Sequence, residues 1–339
     1  MTCLLKIENL KTIYRTTEGT VTGIEDISLN IDQGQRFGLV GESGCGKTTL
    51  LKSLIGVMPE NASISQGKIE FKGKELTSMP EEEMNRIRWN EISMITQSAM
   101  NALDPVYTVG YQITEAIRAH QKISKKGARQ AIEEMFILVG IEASRFNEYP
   151  HQFSGGMRQR AIIAMSLILQ PDLVIADEPT TSLDVIVQDQ IFENIRTLQA
   201  KIGFSILLVT HDIAVVIENC DDIAVMYGGK IMEIGPMQSV IENSFHPYTM
   251  GLKNAFPNIK NRNYDLISIP GTPPNLLGIL TGCRFKDRCP FSTDICLYES
   301  PLLKNIGNRH YAACHHLDQV NTMRTQAVSA KTWIQQNSA

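Results

Sequence analysis

Gly41-Glu42-Ser43-Gly44-Cys45-Gly46-Lys47-Thr48-Thr49 has the form G-x-x-x-x-G-K-[ST] of a phosphate-binding loop. Its flanks suit it. Arg36-Phe37-Gly38-Leu39-Val40 reads as a buried strand, and Leu50-Leu51-Lys52-Ser53-Leu54-Ile55 continues as a helix. Glycines let the backbone turn its N–H groups onto a polyphosphate, and the helix N-terminus adds a favourable dipole. Lys47 is positioned to reach the β- and γ-phosphates and Thr48 to ligate Mg²⁺. A Gly-rich turn without a ligand is the plain alternative, but the complete motif between a strand and a helix points to a nucleoside triphosphate.

Outward from this loop, the chain reads as α/β. Residues 4–40 alternate apolar and polar positions, as in Ile24-Glu25-Asp26-Ile27-Ser28-Leu29, which predicts hairpin-like β structure. Tyr14 stands on its polar stretch, either as a half-exposed strand tyrosine or as a ring stacked on a purine. Gly67–Lys74 predicts another strand pair, Pro80-Glu81-Glu82-Glu83 opens a helix, and Ile92–Thr96 is a buried strand ending at Gln97. Helical spacing over Tyr111–His120 and Lys125–Val139 predicts a helical insertion, about residues 98–165. Leu173–Ala176 and Ser205–Val209 are apolar runs of parallel-strand type around a helix over Val185–Ile202. Ile223–Met226 and Lys230–Ile234 form a hairpin around Gly228-Gly229. The Pro-rich stretch Ile269–Asn275 predicts a linker into a separate C-terminal unit, and the polar residues from about Gln319 predict a frayed end.

Composition narrows the function. The chain has 339 residues and a formal net charge of −4, which gives no electrostatic case for a nucleic-acid partner. Its apolar runs are too short to span a bilayer, and Met1-Thr2-Cys3-Leu4-Leu5-Lys6 lacks the pattern of a signal peptide. A cytosolic protein, held at a membrane by partners, is the expectation.

Two further constellations carry chemistry. Leu173-Val174-Ile175-Ala176-Asp177-Glu178 is a strand delivering two carboxylates, Asp177 for Mg²⁺ and Glu178 to polarise a water attacking the γ-phosphate. Ser154-Gly155-Gly156, before an apolar helix, is a second anion site with free N–H groups and a hydroxyl. One chain has no need of two such sites for one phosphate tail, so the second is suited to a nucleotide held by another subunit.

With these motifs in order, the sequence resembles the ATP-binding-cassette (ABC) ATPases over roughly residues 4–250. Walker A is Gly41–Thr48, Walker B is Leu173–Glu178, and the signature is Phe153-Ser154-Gly155-Gly156-Met157, with Met157 where the family usually has Gln. The glutamine loop begins at Gln97, the D-loop is Ser182-Leu183-Asp184, and the switch histidine is His211. The resemblance implies a P-loop (RecA-like) core with an antiparallel β subdomain and a helical subdomain, and two ATPs sandwiched between head-to-tail subunits. By the same resemblance Tyr14 stacks on adenine and Gln97 senses Mg²⁺ and the γ-phosphate. His211 contacts the γ-phosphate and the attacking water. ATP contacts come from Gly41, Glu42, Ser43, Gly44, Cys45, Gly46, Lys47, Thr48, Thr49, Ser154, Gly155, Gly156 and Asp184.

Finer similarity is to the ATPase subunits of dipeptide/oligopeptide permeases, carried by Gln97–Pro105, Gly155–Arg160, His246-Pro247-Tyr248-Thr249 and Pro270–His315. That group implies a second, related ATPase, two transmembrane permease subunits, an extracytoplasmic binding protein and a place on the cytoplasmic face of the membrane. Oligosaccharides or nickel chelates are alternative cargoes, and a soluble ABC ATPase acting without a membrane partner is the alternative class.

Of seven cysteines, Cys283, Cys289, Cys296 and Cys314 lie together in sequence. Four thiolates could hold an iron–sulfur cluster or tetrahedral Zn²⁺. The wide spacing suits a 4Fe–4S centre, and the resembled group carries one there. His310, His315 and His316 keep a mixed Cys/His zinc site open, and four free thiols packed as small hydrophobes remain the plain alternative. The expected division is a nucleotide-binding domain over 1–255, a cysteine-rich metal-binding domain over 256–325 and a tail over 326–339.

Overall fold

The computed structural model describes residues 2–96, 102–180, 184–255 and 267–334. Two compact units make up the chain. One comprises residues 5–30, 36–77 and 210–339, and the other 1–4, 31–35 and 78–209.

In the first unit, β1 (Cys3–Thr16) and β2 (Gly19–Asp32) are long strands whose alternate residues are apolar and buried. They join β4 (Ala62–Phe71) and β5 (Lys74–Glu75) in a sheet of order β2-β1-β4-β5. Leu5 pairs with Phe71 and Ile7 with Ile69, so one face presents branched and aromatic side chains. The register shifts between Glu8 and Lys11, beside Asn9 at φ 48 and Gly67 at φ 83. A bulge of this kind bends the strand and increases its local twist.

The same unit holds β3 (Arg36–Val40), parallel to β9 (Asp222–Tyr227), with Leu39 opposite Ala224. Both strands are short apolar runs because both faces are covered. β9 turns through Gly228-Gly229 into β10 (Lys230–Pro236), as the turn residues predict. After Pro270 the chain returns to this sheet, where β12 (His310–Ala312) pairs with β10 and β11 (Lys304–Gly307) pairs with β12. One buried carboxylate fastens this return. Glu233 on β10, fully shielded, accepts hydrogen bonds from the backbone N–H groups of Phe245 and His246 and pairs with His310 Nε2 at 2.7 Å. Removing a partner would strand a charge in the interior, so the three contacts hold one another in place.

Among the described residues, the polar C-terminal stretch up to residue 334 is ordered rather than frayed. It forms helices Val320–Ala327 and Ala330–Ile334, in which Val320, Met323, Ala327 and Trp333 are buried. The Trp333 indole donates to Ala327 O at 3.0 Å, and its ring lies over Gly251 of the helix Pro247–Asn254. A few well-spaced apolar residues outweigh a polar average.

The second unit contains β6 (Ile92–Ile95), β7 (Leu173–Asp177) and β8 (Ser205–Thr210) in parallel register, Ile175 facing both Met94 and Leu207. Its helices include Val109–His120, capped by Thr108, and Lys125–Leu138, capped by Ser124. The helix Val185–Ile202 ends at Gly203, whose φ of 86 is the left-handed stop expected of glycine.

Trp333→Ala removes a buried aromatic and its indole hydrogen bond and is expected to cost about 3 kcal/mol or more. A thermal melt should show a drop of several degrees in the midpoint; an unchanged midpoint would show that the tail contributes nothing to stability.

Candidate nucleotide site

The phosphate loop is shaped by close backbone approach. Gly46 adopts φ 103, and a Cβ there would come 2.6 Å from Gly23 O and 2.8 Å from Ile24 Cγ2. Gly41 lies against Met226 O so closely that a side chain has no room. Gly44, at φ 78, faces open space, so its requirement is conformational rather than steric. The helix Lys47–Leu54 starts directly after Gly46, and its first-turn N–H groups have no partner within the helix.

Lys47 is buried, and its ammonium donates to Gly41 O at 2.6 Å and Glu42 O at 3.0 Å. These bonds span the loop and hold the cation at its rim. Thr48, Ser43 and Gly44 are exposed, whereas Cys45 is buried and burial raises its thiol pKa. Tyr14, half-buried, shares a 3.0 Å hydrogen bond between its hydroxyl and Thr49 Oγ1 and packs its ring edge on the bare backbone of Gly23. His211 is exposed, directly after β8, and Asp212 beside it caps the helix Ile213–Asn219 by accepting from Ala214 N–H at 2.8 Å.

In the other unit, β7 is buried throughout and delivers Asp177 and Glu178 at its C-terminal end. Glu178 adopts φ 46 and donates its N–H to Val209 O at 2.8 Å. A glutamate in the left-handed region carries strain that only its surroundings can sustain. Ser154 caps the helix Gly155–Leu167, its Oγ accepting from Met157 N–H at 3.3 Å. The contact uses the Met157 backbone N–H as donor, so the Ser154 hydroxyl proton stays available to donate. Asp184 caps the next helix through Val187 N–H, and Val187 packs against Gly156. Ser154, Gly155, Gly156 and Asp184 thus belong to one corner. Beside them Val185 and Ile186 are 72% and 71% exposed, an apolar surface that the sequence signalled only as ordinary helix positions. Gln97, Ser182 and Leu183 lie outside the described residues.

Cys283, Cys289, Cys296 and Cys314 are all buried, and Cys283 N–H donates to Cys296 O at 2.8 Å. Burial, with a smaller contribution from neighbouring cysteines, pushes the Cys283 thiol up to about 11 and the Cys314 thiol up to about 12. Four thiolates here would require a cationic centre. Among the described residues no three His, Cys, Asp or Glu side chains converge tightly enough for a single metal ion. His310 is taken by Glu233 and His315 by Glu299 O, while His316 Nε2 lies 3.6 Å from Cys296 Sγ. The mixed Cys/His zinc alternative therefore loses His310 to a buried carboxylate that needs it more. Arg284, next to Cys283, keeps Nε and Nη1 buried without a hydrogen-bond partner, two cationic donors suited to an anionic sulfur group.

Residues 24–181 match the family described as ABC transporter, and residues 232–296 match the oligopeptide/dipeptide transporter C-terminal region. The chain is 43% identical over 321 residues to the dipeptide transport ATP-binding protein DppD of Bacillus subtilis, covering 93% of this chain and 95% of that one. It is 41% identical over 301 residues to the oligopeptide transport ATP-binding protein OppD of Escherichia coli, covering 88% and 89%. Among solved structures, the ATP-binding cassette MJ0796, described as a dimer in a post-hydrolysis state with ADP and Pi, superposes with TM-score 0.62 at 24% identity over 69% of this chain and 99% of that one. A second, cbiO1 of Clostridium perfringens, part of the transporter complex cbiONQ, gives 0.63 at 26% identity over 71% and 92%.

Gly46→Ala places a methyl group against Gly23 O in a conformation that L-residues avoid. Binding of a fluorescent ATP analogue should be lost, whereas Gly203→Ala, equally left-handed but with nothing within 4 Å, should leave it intact.

Proposed function

Because the chain belongs to the ATP-binding subunits of dipeptide and oligopeptide ABC transporters, we propose that it hydrolyses ATP to drive import of di- and oligopeptides. The carrying observation is that one chain builds two glycine-flanked helix starts of different construction, each of a kind suited to an anion. One is the Gly46–Lys47 turn with a lysine; the other is the Ser154-capped helix without one. A single triphosphate uses the first, and the second serves the nucleotide of a partner ATPase packed head to tail. The apolar pair Val185 and Ile186, beside Asp184, supports that corner as the partner-facing one.

Within each sandwich Lys47 neutralises the β- and γ-phosphates, while Gly41–Thr49 surround them with backbone N–H groups. Thr48, Asp177 and Gln97 would hold Mg²⁺, which would neutralise charge on the phosphates. Glu178, aimed by its strained backbone, polarises the attacking water, and His211 contacts the γ-phosphate. Tyr14 stacks on adenine. Differential affinity of the closed and open dimers for ATP supplies the work, which the helical insertion, about 98–165, passes to two permease subunits. An extracytoplasmic binding protein delivers the peptide, and the chain sits peripherally on the cytoplasmic face. No helix among the described residues is long and apolar enough to cross a membrane.

The functional division is a nucleotide-binding region over 1–255, a cysteine region over 256–325 and a tail over 326–339. Cys283, Cys289, Cys296 and Cys314 would hold a 4Fe–4S cluster. Their shared burial and the unpartnered donors of Arg284 support an anionic, thiolate-held centre, and their wide spacing, without a C-x2-C pair, favours the cluster over a zinc ion. Such a cluster supplies cross-links to a region of small core, and no redox step in transport follows from it.

The test is ATPase activity of the complex with its permeases and binding protein, challenged separately with oligopeptides and oligosaccharides. Peptides alone should stimulate; stimulation by sugars alone would overturn the cargo. Lys47→Ala should lose nucleotide binding, whereas Glu178→Gln should bind ATP and lose about a hundredfold or more in turnover. Ser154→Arg should impair hydrolysis at the partner's loop, and a defect confined to its own loop would contradict the head-to-tail pairing.

A further inference from the structure

Glu42, inside the phosphate loop, is held from three directions. Its carbonyl accepts from Lys47 Nζ, its N–H donates to the Tyr248 hydroxyl at 3.0 Å, and its carboxylate receives Arg288 Nη1 at 2.7 Å. Arg288 comes from the far end of the sequence and lies directly before Cys289. Its side chain is 6% exposed, and every part of the guanidinium is engaged. Nε donates to Pro270 O at 2.7 Å, Nη2 to Ile269 O at 3.1 Å, and Nη1 also to the Tyr227 hydroxyl at 3.2 Å. Tyr227, Tyr248 and Phe285 pack ring to ring around it, with centroids 4.6–5.3 Å apart. The same Cys283–Cys289 segment sends Arg284 to Glu25 on β2, two residues from the Gly23 backbone that lies under both Tyr14 and Gly46.

A carboxylate in a phosphate loop is a like charge beside a polyanion. Unpaired, it opposes the ligand; paired with a buried guanidinium, it is neutralised and its backbone is fixed. We propose that Arg288 is a positioning residue of the nucleotide site, which cancels the Glu42 charge and sets the loop from the cysteine-bearing segment. This rests on residues 41–49 binding a nucleotide, and it extends that site to a part of the chain that none of its motifs reaches. The Cys283–Cys289 segment is then the frame that aims the two arginines, so its folding and the phosphate loop's affinity are coupled.

The experiment measures binding of a fluorescent ATP analogue, with ATP as competitor, by the full-length chain and its Arg288→Gln, Glu42→Gln and doubly substituted variants. Arg288→Gln leaves the carboxylate uncompensated and should weaken binding about tenfold. Adding Glu42→Gln should recover most of that loss, because the opposing charge is gone. A role confined to the Pro270 and Ile269 carbonyls would not be rescued this way, and an undiminished defect in the double variant overturns the proposal. Should Arg288→Gln not fold, Glu42→Gln alone decides. It leaves a net positive charge beside the phosphates, so binding should tighten and weaken more steeply with salt, and an unchanged affinity and salt slope overturn the proposal. Failure of the nucleotide reading itself looks different: the unsubstituted chain and Lys47→Ala would then bind the analogue equally poorly.

Discussion

The nucleotide site depends on one steric constraint, the passage of the phosphate loop beneath the Gly23 carbonyl and beside Met226. Gly46 must be bare and left-handed to make that passage, and Gly41 must be bare to enter it. Once the backbone turns there, Lys47 becomes the first helical residue, its ammonium falls back on the Gly41 and Glu42 carbonyls, and Thr48 is left outward. Charge placement follows from backbone shape, and the order cannot be reversed. A lysine on a different turn would have neither the burial nor the carbonyls that orient it.

Most of this was legible in the sequence because it is written locally. The glycine spacing, the buried strand before it and the helix after it occupy one continuous stretch, as do the apolar run of β7 and its two carboxylates. Capping residues such as Asp184 and Ser154 stand next to the helices they start. The structure departs where partners lie far apart in sequence. Glu42 and Arg288, separated by 246 positions, look in isolation like two ordinary surface charges. A polar composition hides the order of the C-terminal stretch. Val320, Met323, Ala327 and Trp333 carry the burial by themselves, and averaging over their neighbours hides them. A β-edge return such as β12 onto β10 is likewise invisible, because three residues have too little pattern to declare a partner.

Charge that is buried, as at Glu233, or half-buried, as at Glu25 and Glu42, recurs as the device that joins distant segments. Glu233 gathers two backbone donors and His310, Glu25 gathers Lys11, Lys230 and Arg284, and Glu42 gathers Arg288. An isolated exposed pair would be worth little, but pairs at least partly shielded from water and bonded on several sides are more costly to break from one end, most of all at the fully shielded Glu233. They give the C-terminal segment a defined seat on strands that precede it by many residues, where apolar packing alone would tolerate sliding.

Glu178 sets aim against durability. Its left-handed backbone is a conformation that glycine adopts without penalty. The chain therefore carries, at the carboxylate proposed to activate water, a position where deleting the side chain relieves strain. Glycine at 178 would relieve the backbone strain while removing the carboxylate proposed to activate water, so a search for heat tolerance and a search for turnover would pull this position in opposite directions. At this position a single dihedral angle sets what the side chain is proposed to do against what the backbone prefers.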